Sequence, residues 1–256
     1  MFINQTFNYI FYSAGKIGTQ TLASIPNSNT LLPPAQFING TRNIRKDAVT
    51  AMRRLMISDL RSNIAIIIRN PRSRFVSGMY EIIAKEIFGF MVVTQALMGT
   101  SVATVEENIE QFYKREFWDF ALDKTLRLRP SHWEDQLDGY RWQFHVGNWL
   151  ADVEQTLDTA DQLGRAVDLV DITQLSAYLD HKGIEYQHLN KNDSMMWRLS
   201  TIPNFETVYS RVDHKLIQQS FNAGLDRINP KIKEMFDAYL EPESERYNRL
   251  TARLWK

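Results

Sequence analysis

Residues able to bind an anion follow an apolar, aromatic run near the start of the chain. The run 9–12 is typical of a buried strand, and glycines at 15 and 18 permit a tight turn after it. A helix that begins at residue 19 would point unpaired N–H groups and a partial positive charge at a phosphate. The residues that this turn offers to an anion are Lys16, Gly18, Thr19, Gln20 and Thr21. The pattern predicts a phosphate-binding turn, although an ordinary strand-to-helix turn with capping hydroxyls would use the same residue types.

A second anion-binding pattern follows the continuous apolar run 64–68, which predicts a strand covered on both faces. Arg69 comes directly after this run, and Pro71 is well placed to start a helix. Arg69 could bind a phosphate through its planar fork, while the hydroxyl of Ser77 on the same helix adds a donor. Two neighbouring parallel strands that end in such turns would accept phosphates at two separate positions.

The same segment has a simpler interpretation, which is a basic helix start that faces water. Ser73 and Ser77 are four residues apart and share one face of the predicted helix. Arg72 and Arg74 are expected to point outward. Arg69 is harder to assign to solvent, because it follows an unbroken apolar run.

Taken together, the two segments resemble the sulfotransferase superfamily that uses 3′-phosphoadenosine 5′-phosphosulfate. Residues 16–22, Lys-Ile-Gly-Thr-Gln-Thr-Leu, look like the family's 5′-phosphosulfate loop. Residues 69–78 look like its 3′-phosphate motif, in which the leading arginine and the later serine hold the 3′-phosphate. The order and the separation of the two segments also fit this family.

Two shorter stretches are similar to segments of the carbohydrate sulfotransferases within that superfamily. Residues 131–136 resemble a His-Trp-x-x-Gln segment. Residues 187–192 resemble a Pro-His-Leu-Asn-Lys-Ser segment, from which Gln187 and Asn192 depart. The second likeness implies that Lys191 approaches a phosphate, and an exposed loop lysine is the alternative.

The resemblance implies an α/β fold with three layers, in which helices flank a mainly parallel central sheet. This is the P-loop NTPase-like sulfotransferase fold, with a helical C-terminal part. It implies one domain over residues 1–256, with 90–145 as an acceptor-site insertion. The implied reaction moves a sulfuryl group from the nucleotide co-substrate to a hydroxyl or an amine, without a metal. Lys16 and the amides of 19–21 would stabilise the leaving phosphate.

The reaction needs a base for the acceptor proton, and His132 is the leading candidate. It lies in the stretch 127–142, where aromatic rings stand beside charged groups. Such a loop would suit a carbohydrate, because rings cover sugar C–H patches and charged groups bind hydroxyls. A surface loop with two packing tryptophans would have the same composition. Glu81, Glu134 and Asp135 stay open as bases, and a protein tyrosine, a lipid or a small metabolite stays open as the acceptor.

Two other functions compete with this interpretation: a P-loop kinase or NTPase, and a non-catalytic nucleotide- or glycan-binding protein. The kinase class requires a complete Walker A loop, but Ile10 and Ile17 stand where its first glycine and its Ser/Thr would be. It also requires magnesium-binding carboxylates, which are not evident in the sequence. The binding protein would keep the same fold and need no base.

Composition limits the partners and the compartment. The 30 basic and 30 acidic residues give zero formal net charge, so no global field favours nucleic acid or an anionic membrane. The chain has no cysteine, which excludes disulfides and thiolate sites. No apolar run is long enough for a membrane span and no secretory leader is recognisable, so the sequence predicts a cytoplasmic protein.

Periodicity predicts the elements of the second half of the chain. A buried strand is expected over 166–172, and Gly183 is expected to end the helix that follows it. The predicted helices cover 174–182, 213–224, 230–239 and 242–255. The segment 146–163 is compatible with a strand or a helix, and the spacing of its Asp, Glu and Gln residues favours a helix. The last of these is expected to have a mostly solvated face, formed by Glu243, Glu245, Arg246 and Arg249.

Overall fold

The computed structural model describes residues 2–4, 6–13, 19–30, 62–80, 114, 116, 119, 149–187 and 214–256. The chain divides into two compact units. The first comprises residues 1–78, 134–189 and 240–256, and the second comprises 79–133 and 190–239. The described strands all belong to the first unit. Most of the predicted insertion over 90–145 lies outside the described residues, and it stays a prediction.

The strands of the first unit form one sheet. They are β1 (Phe2–Asn4), β2 (Tyr9–Tyr12), β3 (Ser28–Thr30), β4 (Asn63–Ile68) and β5 (Asp168–Asp171). Their order across the sheet is β3-β1-β2-β4-β5. β4 lies between β2 and β5 and is parallel to both, whereas β1 is antiparallel to β2 and to β3.

The parallel part of the sheet confirms the predicted α/β class at the level of three parallel strands with flanking helices. All four side chains of β2 are buried, as are the five apolar side chains 64–68 of β4. Strands buried on both faces are typical of parallel sheets covered by helices. β1 and β3 were not predicted, because a three-residue strand is too short to display the alternation by which strands are recognised.

The register brings the ends of the parallel strands to one edge. Tyr12 is level with Ile66, and Ile68 is level with Asp171. Parallel strands run in the same direction, so β2, β4 and β5 all deliver their carboxyl ends to this edge of the sheet. The prediction that the two anion-binding segments leave neighbouring parallel strands is therefore confirmed for the strands themselves.

The described helices agree with most of the predicted ones. They are α1 (Thr19–Ala23), α2 (Pro71–Tyr80), α3 (Leu150–Gln162), α4 (Leu175–His181), α5 (His214–Asp226) and α6 (Pro230–Thr251). As predicted, Pro71 starts α2, and Gly183 follows α4 with φ near +66°, a backbone conformation that favours glycine. No helix in these ranges is long and apolar enough to cross a membrane.

The C-terminal helix corrects one prediction. The sequence predicted two helices, 230–239 and 242–255, but α6 continues through Pro242. A proline inside a helix lacks one N–H donor and clashes with the carbonyl four residues earlier, at a cost of about 3 kcal/mol. Leu240 and Leu250 are buried on the two sides of Pro242, and their packing offsets this cost.

Glu243 corrects a second prediction. It was assigned to a solvated face, yet it is only 3% exposed. Its Oε2 accepts hydrogen bonds from the backbone N–H groups of Trp149 (3.0 Å) and Leu150 (2.9 Å). Its Oε1 accepts one from Arg246 Nη1 at 3.0 Å. Trp149 offers no capping side chain of its own, so a carboxylate distant in sequence satisfies the start of α3.

We expect Glu243→Ala to lower the free energy of unfolding by about 2 kcal/mol, because two buried N–H groups lose their acceptor. Thermal unfolding followed by circular dichroism measures the effect. Glu245→Ala is the matched control, since Glu245 lies on the same helix and is exposed. Equal melting temperatures for the two variants would contradict the capping role of Glu243.

Candidate functional site

The structure describes part of the predicted anion-binding set. Thr21, Arg69 and Ser77 lie in described segments, and Thr19 and Gln20 are the first two residues of α1. The other predicted residues lie outside the described ranges: Lys16, Gly18, His132 and Lys191, together with the alternative bases Glu81, Glu134 and Asp135.

Arg69 is the first residue after β4 and is half-buried. Its Nε donates a hydrogen bond to Ser73 Oγ at 3.0 Å. Burial lowers the pKa of Arg69, and the negative charge of Asp171 partly offsets that effect. An arginine stays protonated at neutral pH in either case. A cation therefore stands at the carboxyl edge of the sheet, as the sequence predicted.

The turn that holds Arg69 is a capped helix start. Asn70 precedes Pro71, the first residue of α2, and its Oδ1 accepts the backbone N–H of Ser73 at 3.1 Å. Asparagine at the N-cap and proline at the first helical position are the preferred residue types for these sites. Since β4 ends at Ile68 and α2 begins at Pro71, only two residues separate strand from helix.

The serines of α2 lie one helical turn apart. Ser73 is exposed and Ser77 is half-buried. Arg69 engages Ser73 rather than Ser77 in this structure, so the residue predicted only to share the helix face makes the direct contact. Ser77 lies one turn further along α2, and its role in holding an anion together with Arg69 stays a prediction.

The residue that follows α1 is hydrogen-bonded to a distant part of the chain. Ser24 follows α1, and its Oγ accepts the backbone N–H of Gln187 at 2.9 Å. Ser24 Oγ also lies 3.0 Å from the Gln187 carbonyl and 2.7 Å from the Thr21 carbonyl. Gln187 therefore lies beside α1, the helix of the first anion-binding segment. A proline, which the resembled family has in place of Gln187, could not donate this N–H.

Asp171 and Tyr247 are polar residues at this edge that the sequence analysis missed. Asp171 ends β5 and is 5% exposed. Its Oδ1 accepts the N–H (2.9 Å) and the hydroxyl (2.6 Å) of Thr173, and its Oδ2 accepts the hydroxyl of Tyr247 at 2.7 Å. Burial, with the hydrogen bond and charge of Asp171, raises the pKa of Tyr247. The sequence Asp-x-Thr after an apolar strand was a usable signal for the contact between Asp171 and Thr173. No local signal indicated the contact with Tyr247.

Arg74 overturns the prediction that it points outward, whereas Arg72 is exposed as predicted. Arg74 is 4% exposed, and its guanidinium carbon lies 6.0 Å from the ring centroid of Trp149. The Trp149 ring also packs against Tyr12, with centroids 5.6 Å apart. The buried positions of α2 are 71, 74, 75, 78 and 79, a helical stripe in which position 74 belongs to the core-facing side. This helical spacing was visible in the sequence, so the buried position of Arg74 could have been predicted from it.

The described groups at this edge, an arginine and serine hydroxyls beside a helix start, are of the types that bind oxyanions in proteins. Within the described ranges, no group of three or more His, Cys, Asp or Glu side chains is placed to hold a metal ion. No protein-family model, no curated protein and no solved structure matches the chain.

We expect Arg74→Ala to lower the free energy of unfolding by about 1–3 kcal/mol, because the variant loses the Trp149 contact and leaves a gap in the buried face of α2. Chemical denaturation monitored by tryptophan fluorescence measures this change. Arg72→Ala removes the same charge from an exposed position two residues earlier and should leave stability almost unchanged. If both variants unfold at the same denaturant concentration, Arg74 has no packing role.

Proposed function

We propose that this protein is a sulfotransferase that moves a sulfuryl group from 3′-phosphoadenosine 5′-phosphosulfate to a hydroxyl, or an amine, of an acceptor. The position of Arg69 supports the proposal. Arg69 follows β4, which is parallel to its neighbour β2, so it stands at the edge from which the first segment continues. A cationic fork and a separate turn on adjacent strands suit a nucleotide with phosphates at two positions. The finer fold type, P-loop NTPase-like, is part of the proposal.

The proposal divides the nucleotide between the two segments. The 3′-phosphate is held by Arg69 and Ser77, with Lys191 as a further cation near a phosphate. The 5′-phosphosulfate is held by Lys16, Gly18, Thr19, Gln20 and Thr21. Arg69 brings a planar fork suited to two parallel hydrogen bonds, whereas Lys16 acts as a mobile point charge.

The chemistry is an in-line displacement at sulfur. The acceptor oxygen forms a bond to sulfur while the bond from sulfur to the phosphate oxygen breaks, and adenosine 3′,5′-bisphosphate leaves. Lys16 stabilises the negative charge that develops on the leaving phosphate. His132 accepts the proton of the acceptor hydroxyl. A carbohydrate is the proposed acceptor, because the stretch 127–142 combines aromatic rings with charged groups.

A P-loop kinase is the second candidate, and Asp171 is the observation that favours it. A carboxylate at the carboxyl end of a parallel strand is where a magnesium ligand would be needed. However, both oxygens of Asp171 already accept hydrogen bonds, from Thr173 and from Tyr247. Binding a metal would cost those bonds, so the sulfotransferase is the better supported function.

We expect calorimetry to detect binding of adenosine 3′,5′-bisphosphate without metal. Arg69→Ala should weaken that binding roughly ten- to hundredfold, since charge-assisted hydrogen bonds contribute about 1.5–3 kcal/mol. Arg72→Ala is the control, because Arg72 is exposed and lies on the same segment. Equal small effects of the two variants on the affinity would mean that Arg69 does not bind the 3′-phosphate. A preference for adenosine 5′-diphosphate with Mg²⁺ would assign the protein to the kinase class instead.

The role of His132 is tested by separating turnover from binding. His132→Ala should reduce the rate of sulfuryl transfer to a carbohydrate acceptor by roughly a hundredfold or more, the range usual for loss of a general base. The affinity for adenosine 3′,5′-bisphosphate should be largely kept, because the base acts on the acceptor. Retained turnover in this variant would give the base role to another residue, such as Glu134.

A further inference from the structure

Ser13 is the first residue after β2, and it is only 6% exposed. Its Oγ is covered from solvent and has no hydrogen-bond partner in the part of the chain that the structure describes. A buried hydroxyl without a partner destabilises a folded protein, because it has lost its hydrogen bonds to water and gained none in return. Such a group calls for a specific explanation, and a ligand that supplies the missing partner is one.

The different lengths of two neighbouring strands place Ser13 in this position. Tyr12, the last residue of β2, is level with Ile66, whereas β4 continues to Ile68. β4 therefore extends two residues beyond the end of β2, and the side chain of Ile68 is fully buried. Ser13 follows Tyr12 beside this longer strand, so it leaves the sheet at a deeper level than Arg69 does. It is the first residue of the connection from β2 to α1, at the carboxyl end of a parallel strand, where α/β sheets bind their ligands.

The type of group at residue 13 limits the ligand that can satisfy it. A serine hydroxyl is uncharged and can donate one hydrogen bond. The residues that follow it in the same segment include Lys16, a cation, and Thr19 and Thr21, which are further donors. A ligand that matches all of these groups is an anion rich in acceptor oxygens. Because the Ser13 hydroxyl has no water to release, its hydrogen bond to such an oxygen contributes to the affinity without that loss.

Building on the proposed function, we propose that Ser13 is a further nucleotide-binding residue, whose hydroxyl donates a hydrogen bond to an oxygen of the 5′-phosphosulfate. The donor is held in place before the ligand arrives, since the ring of the preceding Tyr12 packs against Trp149 with centroids 5.6 Å apart. A donor that is already ordered reduces the entropy lost on binding. Ser13 thus adds a short, neutral and fixed donor to a segment whose cation, Lys16, is long and mobile.

The variant Ser13→Ala removes only the hydroxyl, and we expect it to change affinity and stability in different ways. The affinity for adenosine 3′,5′-bisphosphate should fall tenfold or more, the range usual for a hydrogen bond to a charged group. The melting temperature without nucleotide should stay the same or rise, because the variant loses an unpaired buried group. Ser244→Ala is the matched control, since Ser244 Oγ lies on α6 and donates to the Leu240 carbonyl at 2.9 Å. This control should keep the nucleotide affinity.

A second nucleotide, adenosine 3′-monophosphate, assigns the effect to one phosphate. Calorimetry on the full chain gives the dissociation constants of both nucleotides, and their ratio measures what the 5′-phosphate contributes. Ser13→Ala should reduce this ratio tenfold or more and leave the affinity for the 3′-monophosphate unchanged. An unchanged ratio, an equal loss for both nucleotides, or a lower melting temperature without nucleotide would each overturn the proposal. If the unmodified protein binds neither nucleotide, the proposed function itself fails, and this result is distinguishable because it precedes any substitution.

Discussion

The parallel pairing of β4 with β2 on one side and β5 on the other is the constraint on which this structure depends. The side chains 64–68 of β4 are at most 2% exposed, so the strand is enclosed on both faces. A backbone enclosed in this way must find all its hydrogen bonds in the sheet. The pairing satisfies that requirement, and it also sets the level at which each strand ends. Arg69 is the first residue beyond the enclosed part of β4, which is why a charge can stand there.

Residues near the C-terminus contact both β5 and the start of α3. Tyr247 donates to Asp171 across 76 residues, and Glu243 caps α3 across more than 90. Trp255 extends this attachment, since its N–H donates to the Leu169 carbonyl at 2.7 Å along the outer side of β5. Asp171 and Glu243 each have donors on both carboxylate oxygens, and this is the condition under which a buried charge is tolerated. The last segment of the chain is therefore part of the fold of the first unit.

Local charge arrangement, rather than net charge, gives this edge its chemistry. The chain as a whole is neutral, so no long-range field concentrates anions around it. The charge at this edge is that of Arg69. The negative charge of Asp171 partly offsets the effect of burial on the pKa of Arg69, and the Arg69 Nε donates a hydrogen bond to Ser73 Oγ. Paired hydrogen bonds from an arginine are suited to a phosphate. Under the proposed function, Arg69 holds the 3′-phosphate, which is distant from the bond that breaks.

The sequence was sufficient to predict the strands 9–12 and 64–68 and the start of α2 at Pro71. These elements depend on apolar runs, a capping asparagine and a proline, and each of these signals affects only the backbone a few residues away. The buried position of Arg74 was also within reach, since the helical stripe through 71, 75 and 78 includes it. Tertiary structure alone decided that Glu243 caps α3 and that Asp171 faces both Tyr247 and the charge of Arg69. A charged residue on a helix looks solvated in the sequence, and only the packing of distant segments shows which donors surround it. Local pattern thus determined the elements and the residue types at the strand ends, whereas long-range packing decided which of those charges are buried and what they bind.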